Sequence, residues 1–191
     1  MMIVFEGCRN SGKTFLSDKV SSALSMPRYK FDFVGYFSGL RLESKSFSAH
    51  TFAIGKELML MQINRDGLLP NDVIVDRSFL TVLAWGICEG RISREDAILQ
   101  MELMINSSLL SNVSLVYVRK KLDVLVQRGP KDQWDSTENS TAEEDAYNFL
   151  LDYMKSKEIP GFLQIEVFNE FNEESIINTI NQIKNVRNNS K

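Results

Sequence analysis

The sequence predicts an α/β protein: a five-stranded parallel sheet with helices on both faces and a small lid. Three observations carry this expectation. Five short β-rich or apolar runs, at residues 2–6, 28–34, 73–76, 113–118 and 162–168, alternate with helix-compatible stretches along the whole chain. The runs MIVFE, VIVD and VSLVYV are almost continuously apolar, as strands covered on both faces are. No internal repeat and no linker divides the 191 residues, so residues 1–191 are expected to form a single domain.

The elements follow in order. After the first strand, Phe15, Val20 and Leu24 carry the apolar spacing of a helix, which Pro27 follows. Residues 28–34 (RYKFDFV) alternate and read as the second strand. Residues 35–48 are loop-like, with Gly35, Gly39 and several serines. From His50 to Asn64 the apolar residues Phe52, Leu58, Met59, Met61 and Ile63 suggest a helix, ended by Gly67 and Pro70. Asn71 and Asp72 turn into the third strand at 73–76, and residues 78–87 make an apolar helix punctuated by Gly86 and Gly90. Ser93 caps the next helix, to Met104, with Asp96 three residues on. The strand at 113–118 leads to a short helix at 123–127. Residues 129–141 (GPKDQWDSTENST) are polar apart from Trp134 and rich in breakers, which makes them the expected lid. A helix at 142–154, the last strand and an amphipathic helix at 173–186 (Ile176, Ile177, Ile180, Ile183) complete the chain, and residues 188–191 are expected to fray.

The first strand runs into Gly7-Cys8-Arg9-Asn10-Ser11-Gly12-Lys13-Thr14, the pattern G-x-x-x-x-G-K-T ahead of a helix. Gly7 and Gly12 let the backbone turn its N–H groups inward across Arg9, Asn10 and Ser11. Those groups and the helix N-terminus make a nest for an anion. Lys13 can reach the terminal phosphates of a nucleotide, and the Thr14 hydroxyl can hold Mg²⁺. The competing reading, a Gly/Ser turn between a strand and a helix, leaves the four fixed positions unexplained.

The formal net charge is −3 and the isoelectric point about 5.3, so no global basic field favours DNA, although DNA stays open as an acceptor through a local groove. Cys8 and Cys88 make neither a C-x-x-C pair nor a disulfide framework, and with His50 as the one histidine there is no zinc set. No basic segment precedes the first apolar run and no apolar stretch is long enough to span a bilayer. A soluble, cytoplasmic protein is expected.

On parallel sheets of this kind ligands sit at the carboxyl ends of the strands. The residues to watch there are 7–14, Asp32, Asp76-Arg77, Arg119 and 169–172. Asp76 is placed to bind Mg²⁺ and Arg77 to grip a phosphate with a planar fork; a helix-capping Asp–Arg pair is the alternative.

At this point the sequence resembles the thymidylate kinase and deoxynucleoside kinase superfamily. The resemblance is carried by Phe5-Glu6-Gly7 running into Gly12-Lys13-Thr14, and by Asp76-Arg77-Ser78 followed by Thr81 and Ala84-Trp85-Gly86. Phe52-Ala53-Ile54-Gly55-Lys56 looks like the family's Phe-Ala-x-x-Arg helix. The resemblance implies a P-loop kinase fold using ATP and Mg²⁺. It implies that residues 7–14 hold the ATP phosphates, that Thr14 and Asp76 serve the metal, and that Arg77 orients the acceptor. Phe52 would stack on the acceptor base and Lys56, one turn on, would reach a base carbonyl. Thr81 and Trp85 would line the same pocket. Arg128 would be the lid cation, with Arg119 and Lys131 as weaker candidates, and residues 169–172, Asn169 first, would border the adenine. The family often pairs as homodimers, which makes a homodimer the expectation.

Three departures stand out. Arg9 occupies a position where thymidylate kinases usually keep an acid, and a cation there could contact a phosphate. Lys56 replaces the base-reading arginine. The usual Arg-Glu-Pro after the second strand is missing, and Asp32 is the nearest acid, either a base for a sugar hydroxyl or a solvent-facing strand residue. The leading reading is transfer of the γ-phosphoryl group of ATP to a thymidylate-like deoxynucleotide. Beside it stand a kinase for a nucleoside or a hydroxymethyl pyrimidine, free or in DNA, and a P-loop NTP-binding switch or assembly protein without an acceptor.

Overall fold

The computed structural model describes residues 1–30, 47–69, 72–119, 137–168 and 172–189. Asp32, Arg128, Lys131, Trp134, Asn169, the short helix at 123–127 and lid residues 129–136 lie outside the described residues. The elements are β1 (Met2–Glu6), α1 (Lys13–Leu24), β2 (Arg28–Lys30), α2 (Phe47–Arg65), β3 (Val73–Asp76), α3 (Phe79–Cys88), α4 (Arg94–Asn106), β4 (Val113–Arg119), α5 (Thr137–Lys155), β5 (Leu163–Phe168) and α6 (Glu173–Asn189).

All five strands are parallel, in the order β2-β3-β1-β4-β5. The central strand is β1, buried at all five positions. Its side chains alternate between two cores, as the two-residue period requires. Met2 and Val4 join Val75, Leu115 and Tyr117 in one core beneath α2, α3, α4 and α5. Ile3 and Phe5 join Ile74, Val116 and Val118 in the other, covered by Leu16 and Val20 of α1 and Ile183 of α6. The expected α/β architecture, with five parallel strands and helices on both faces, is the one observed.

Element boundaries differ in two places. The helix after the expected lid starts at Thr137, so residues 137–141 are helical rather than loop. Polarity alone does not stop a helix, and no Gly or Pro occurs between Pro130 and that helix. For the same reason α6 continues to Asn189, through part of the segment expected to fray. The Ser93 cap is as read: its hydroxyl accepts from the Asp96 N–H and the Asp96 carboxylate accepts from the Ser93 N–H. Among the described residues no helix is long and apolar enough to cross a membrane.

Candidate functional site

β1 and β3 are neighbours in register, with Phe5 opposite Asp76. Yet β1 feeds α1 on one face of the sheet and β3 feeds α3 on the other. The chain therefore leaves these two strands in opposite directions, and a crevice opens between them at their carboxyl ends, the place where sheets of this type bind ligands. Residues 7–14 and Asp76-Arg77 flank that crevice.

The loop is built to turn tightly. Gly7 has φ 148°, and a Cβ there would stand 2.5 Å from the Val118 carbonyl oxygen and 2.9 Å from Ser11 Oγ. Asn10 (φ 61°) and Gly12 (φ 82°) are left-handed, and Ser11 N–H donates to the Cys8 carbonyl at 3.2 Å. Lys13 folds back and donates to the same carbonyl at 2.9 Å. Its ammonium is buried, and burial, then the nearby Arg77 charge, lowers its pKa to about 7 against the pull of Glu143, Asp76 and Glu6. Thr14 is exposed on the first turn of α1. Cys8 is buried beside the Tyr117 hydroxyl at 3.7 Å, and burial pushes its thiol up to about 12, so it is an inert filler.

On the other side of the crevice, Asp76 accepts from Arg28 Nη2 through Oδ2 at 2.7 Å, and Arg28 also reaches Asp18 on α1 at 3.4 Å. Arg77 is left-handed (φ 73°), an unfavourable conformation for a non-glycine residue. Its N–H is held by the Phe5 carbonyl at 3.0 Å. The next residues are anchored by two buried carboxylates. Glu6, fully buried, accepts from the N–H groups of Ser78 (2.8 Å) and Thr81 (3.2 Å). It also accepts from the Thr81 hydroxyl and from the Tyr147 hydroxyl at 3.3 Å. Burial outweighs those donors and raises its pKa to about 7. Glu57 accepts from the Ser78 hydroxyl at 2.6 Å and pairs with Lys56 at 3.2 Å.

Four polar atoms at this end of the sheet are buried and have no hydrogen-bond partner among the described residues: Ser11 Oγ, Arg28 Nε, Asp76 Oδ1 and Arg77 Nη1. Leaving such atoms unpaired costs about 1–3 kcal/mol each, so their concentration around one crevice points to a polar ligand. For Mg²⁺ the oxygen donors of Thr14 and Asp76 are of the right chemistry.

The acceptor-side residues are placed as follows. Phe52 is 40% exposed on α2, and Lys56, one turn on, also lies 5.0 Å from the Tyr29 ring. Trp85 has two guanidiniums against its indole, Arg9 at 4.9 Å and Arg77 at 4.8 Å. Its Nε1 donates to Glu143 at 2.8 Å. Glu143 also takes the Arg9 N–H with both oxygens, at 3.1 and 3.2 Å. Arg119, at the end of β4, is committed to Glu166 (2.7 Å) and Asn148 (3.0 Å). Thr81 is fully buried, with its hydroxyl bonded to Glu6 and Tyr147.

Sequence reasoning missed Glu6, Arg28, Glu57, Glu143 and Tyr147. The signal was present for the acids. Glu143 stands on the buried stripe of α5, in step with Ala146, Tyr147, Leu150, Leu151 and Met154, and Glu57 on that of α2 with Ala53, Ile54 and Met61. A carboxylate in phase with a core stripe has to be paired.

Among solved structures, the chain is similar to a thymidylate kinase from Candida albicans. The TM-score is 0.66 at 17% identity, covering 100% of this chain and 93% of that one. It is similar to the deoxyadenosine kinase of M. mycoides with bound dATP, with TM-score 0.62, 17% identity, and 96% and 100% of the two chains covered. The fold is that of the nucleotide and nucleoside kinases. A thymidylate kinase from Ehrlichia chaffeensis shares this kinase fold as well, with TM-score 0.59 and 15% identity over 97% of each chain. No family model matches the sequence, and no curated protein matches it in sequence.

Proposed function

We propose that the protein is an ATP-dependent kinase that transfers the γ-phosphoryl group to a deoxynucleotide acceptor of the thymidylate type. The observation that carries this reading is the crevice itself. A phosphate-loop lysine and an arginine face one another there among buried polar atoms that have no partner among the described residues, in a kinase fold.

Phosphoryl transfer needs positioning and charge neutralisation more than covalent chemistry. In this reading the loop N–H groups and Lys13 hold the donor phosphates. Thr14 and Asp76 would hold Mg²⁺, which supplies charge neutralisation across those phosphates when bound. Arg28 keeps the Asp76 carboxylate fixed and leaves Oδ1 to face the site. Arg77 presents its guanidinium to the transferring group from the acceptor side, and Phe52 offers a face to a base. Arg128 is assigned the lid cation. Adenine is assigned to the end of β5 near Asn169, where a cavity of about 320 Å³ lined by Val167, Phe168, Asn178 and Thr179 opens beside α6. An acceptor that is already a phosphate supplies its own nucleophilic oxygen, so no strong base is required.

ADP release, measured with deoxynucleoside monophosphates as acceptors, tests the assignment. Lys13→Ala is expected to lose nearly all turnover, and a variant with full turnover would sink it. Arg77→Lys should lower the rate far more than it weakens ATP binding, because an ammonium cannot reproduce the planar fork. Slow ATP hydrolysis that no acceptor accelerates would favour a nucleotide-binding switch instead.

A further inference from the structure

We propose that Arg28 is a positioning residue for the metal: its ion pair with Asp76 withholds that carboxylate from a free divalent cation, so that the metal is held only together with the phosphates of the nucleotide. This rests on the nucleotide and metal site of the kinase reading and goes further by naming the residue that governs entry of the metal.

The pair follows from the strands. β2 and β3 run parallel, with Arg28 opposite Ile74 and Lys30 opposite Asp76. Alternation along β3 puts Ile74 and Asp76 on one face of the sheet, the face covered by α1. Arg28 shares that face, one step short of Asp76, and needs its full length to reach it. Its Nη2 stands 2.7 Å from Asp76 Oδ2; the aspartate side chain has no exposure and that of the arginine 19%. A carboxylate buried so completely requires a counter-charge, and Arg28 is its one ion-pair partner among the described residues.

A guanidinium can meet both oxygens of a carboxylate with two parallel N–H groups. Arg28 meets one. Its Nη1 turns to Asp18 on α1 at 3.4 Å, which leaves Asp76 Oδ1 without a partner. A metal can therefore use Oδ1 without displacing Arg28, but it approaches an anion whose charge is already balanced. The neighbouring charges oppose it further. Lys13 lies close enough to feel both Arg77 and Asp76, and Lys13 and Arg77 are both cations. Glu6 is committed to Ser78, Thr81 and Tyr147. Mg²⁺ demands a nearly octahedral set of oxygens, completed in such sites by substrate phosphates. Among the described residues no group of three His, Cys, Asp or Glu is gathered to hold a metal, and Thr14 adds a neutral hydroxyl. A triphosphate brings both the missing oxygens and the missing negative charge. Arg28 thus makes Asp76 a residue that orients the metal of a nucleotide complex instead of one that captures the metal alone.

Mn²⁺ is the probe, followed by its paramagnetic resonance spectrum in the full chain. Without nucleotide the wild type should leave the spectrum of the free aquo ion unchanged; with ATP analogue present a protein-bound signal should appear. Arg28→Met and Arg28→Gln remove the charge and should bind Mn²⁺ without nucleotide about ten- to a hundred-fold more tightly than the wild type. Arg28→Lys keeps the charge and should behave as the wild type. Adding Asp76→Asn to Arg28→Met should abolish the new site. Melting temperature is the second readout. Without nucleotide, Mn²⁺ should raise it in both neutral variants and not in the wild type, and a neutral variant that starts unfolded for want of a counter-charge should refold as Mn²⁺ takes the place of Arg28.

Wild-type protein that binds Mn²⁺ without nucleotide as tightly as the neutral variants would overturn the proposal. So would neutral variants that Mn²⁺ neither binds nor stabilises, or a new site that survives Asp76→Asn. None of these measurements needs turnover. ADP release that no acceptor accelerates would sink the kinase and leave the role of Arg28 standing, whereas nucleotide-independent metal binding by the wild type would end that role and leave the kinase.

Discussion

Lys13 shows how a single residue sets the conditions for binding. Burial and the Arg77 charge hold its pKa at about 7. A triphosphate seated against it favours the charged form, so binding draws a proton onto the ammonium. The sign follows. Above pH 7 the empty protein has lost a charge that the complex needs, and affinity must fall as pH rises. We expect nucleotide affinity to drop between pH 7 and 9 by up to about tenfold per unit, as measured by calorimetry. An arginine at this position would keep its charge throughout, so Lys13→Arg should show a flat profile wherever it still binds. A wild-type affinity independent of pH over this range would rule out the depressed pKa. At the residue scale the loop was legible because its chemistry is local: glycines, lysine and hydroxyl occur in one run of eight. Glu143 was not, because its partners, Arg9 and Trp85, lie 134 and 58 positions away in sequence.

At the scale of elements, α3 links the crevice to the larger core, and its glycine is the sensitive point. A Cβ on Gly86 would stand 2.9 Å from His50 Cε1, from His50 Nδ1 and from Ile92 Cγ1. The His50 ring is buried and held at Nε2 by Gln100 at 3.2 Å, so it has little room to retreat. Gly86→Ala is therefore expected to destabilise the fold by about 1–3 kcal/mol through overpacking, against the smaller gain alanine brings within a helix. Urea denaturation measures it, and a more stable variant would show that the His50 contact yields. The sequence placed α3 correctly and marked Gly86 as punctuation and as part of the Ala84-Trp85-Gly86 motif, without its contact to His50. In α2 it took its apolar pattern from Phe52, Leu58, Met59, Met61 and Ile63, of which Met61 is fully buried but Phe52 is 40% and Met59 63% exposed. The buried stripe is Ala49, His50, Ala53, Ile54, Glu57, Met61 and Asn64. Small and polar residues face the core there because α2 carries Glu57 to Ser78. Helix existence follows from local periodicity; which face is buried depends on partners that sequence does not display.

For the molecule as a whole, the crevice concentrates charge where packing would prefer none, and the effect should appear in global stability. Glu6 has a folded-state pKa of about 7, above its ordinary 4.5, so its contribution to stability is full below 4.5 and is lost as pH rises through 7. Lys13 has a folded-state pKa of about 7, below its ordinary 10.5, so its contribution is full above 10.5 and is lost as pH falls through 7. The two losses meet near neutrality. Together they predict a shallow minimum of stability near pH 7 in the nucleotide-free protein, on the order of a few kcal/mol deep at most. Each limb has its own control. Glu6→Gln keeps the shape of the side chain and removes the charge, so the decline between pH 5 and 7 should flatten. Lys13→Met does the same for the rise above pH 7, and it should stabilise the empty protein at neutral pH because an apolar chain fills a buried site without desolvating a charge. Nucleotide should raise the melting temperature of the wild type by mass action and leave that of Lys13→Met almost unchanged. Urea midpoints taken from pH 5 to 9 decide the matter: parallel profiles for the wild type and the double variant would mean that neither group is held away from its ordinary titration. A dip that disappears in the double variant would identify the phosphate loop as a site kept functional at the expense of stability.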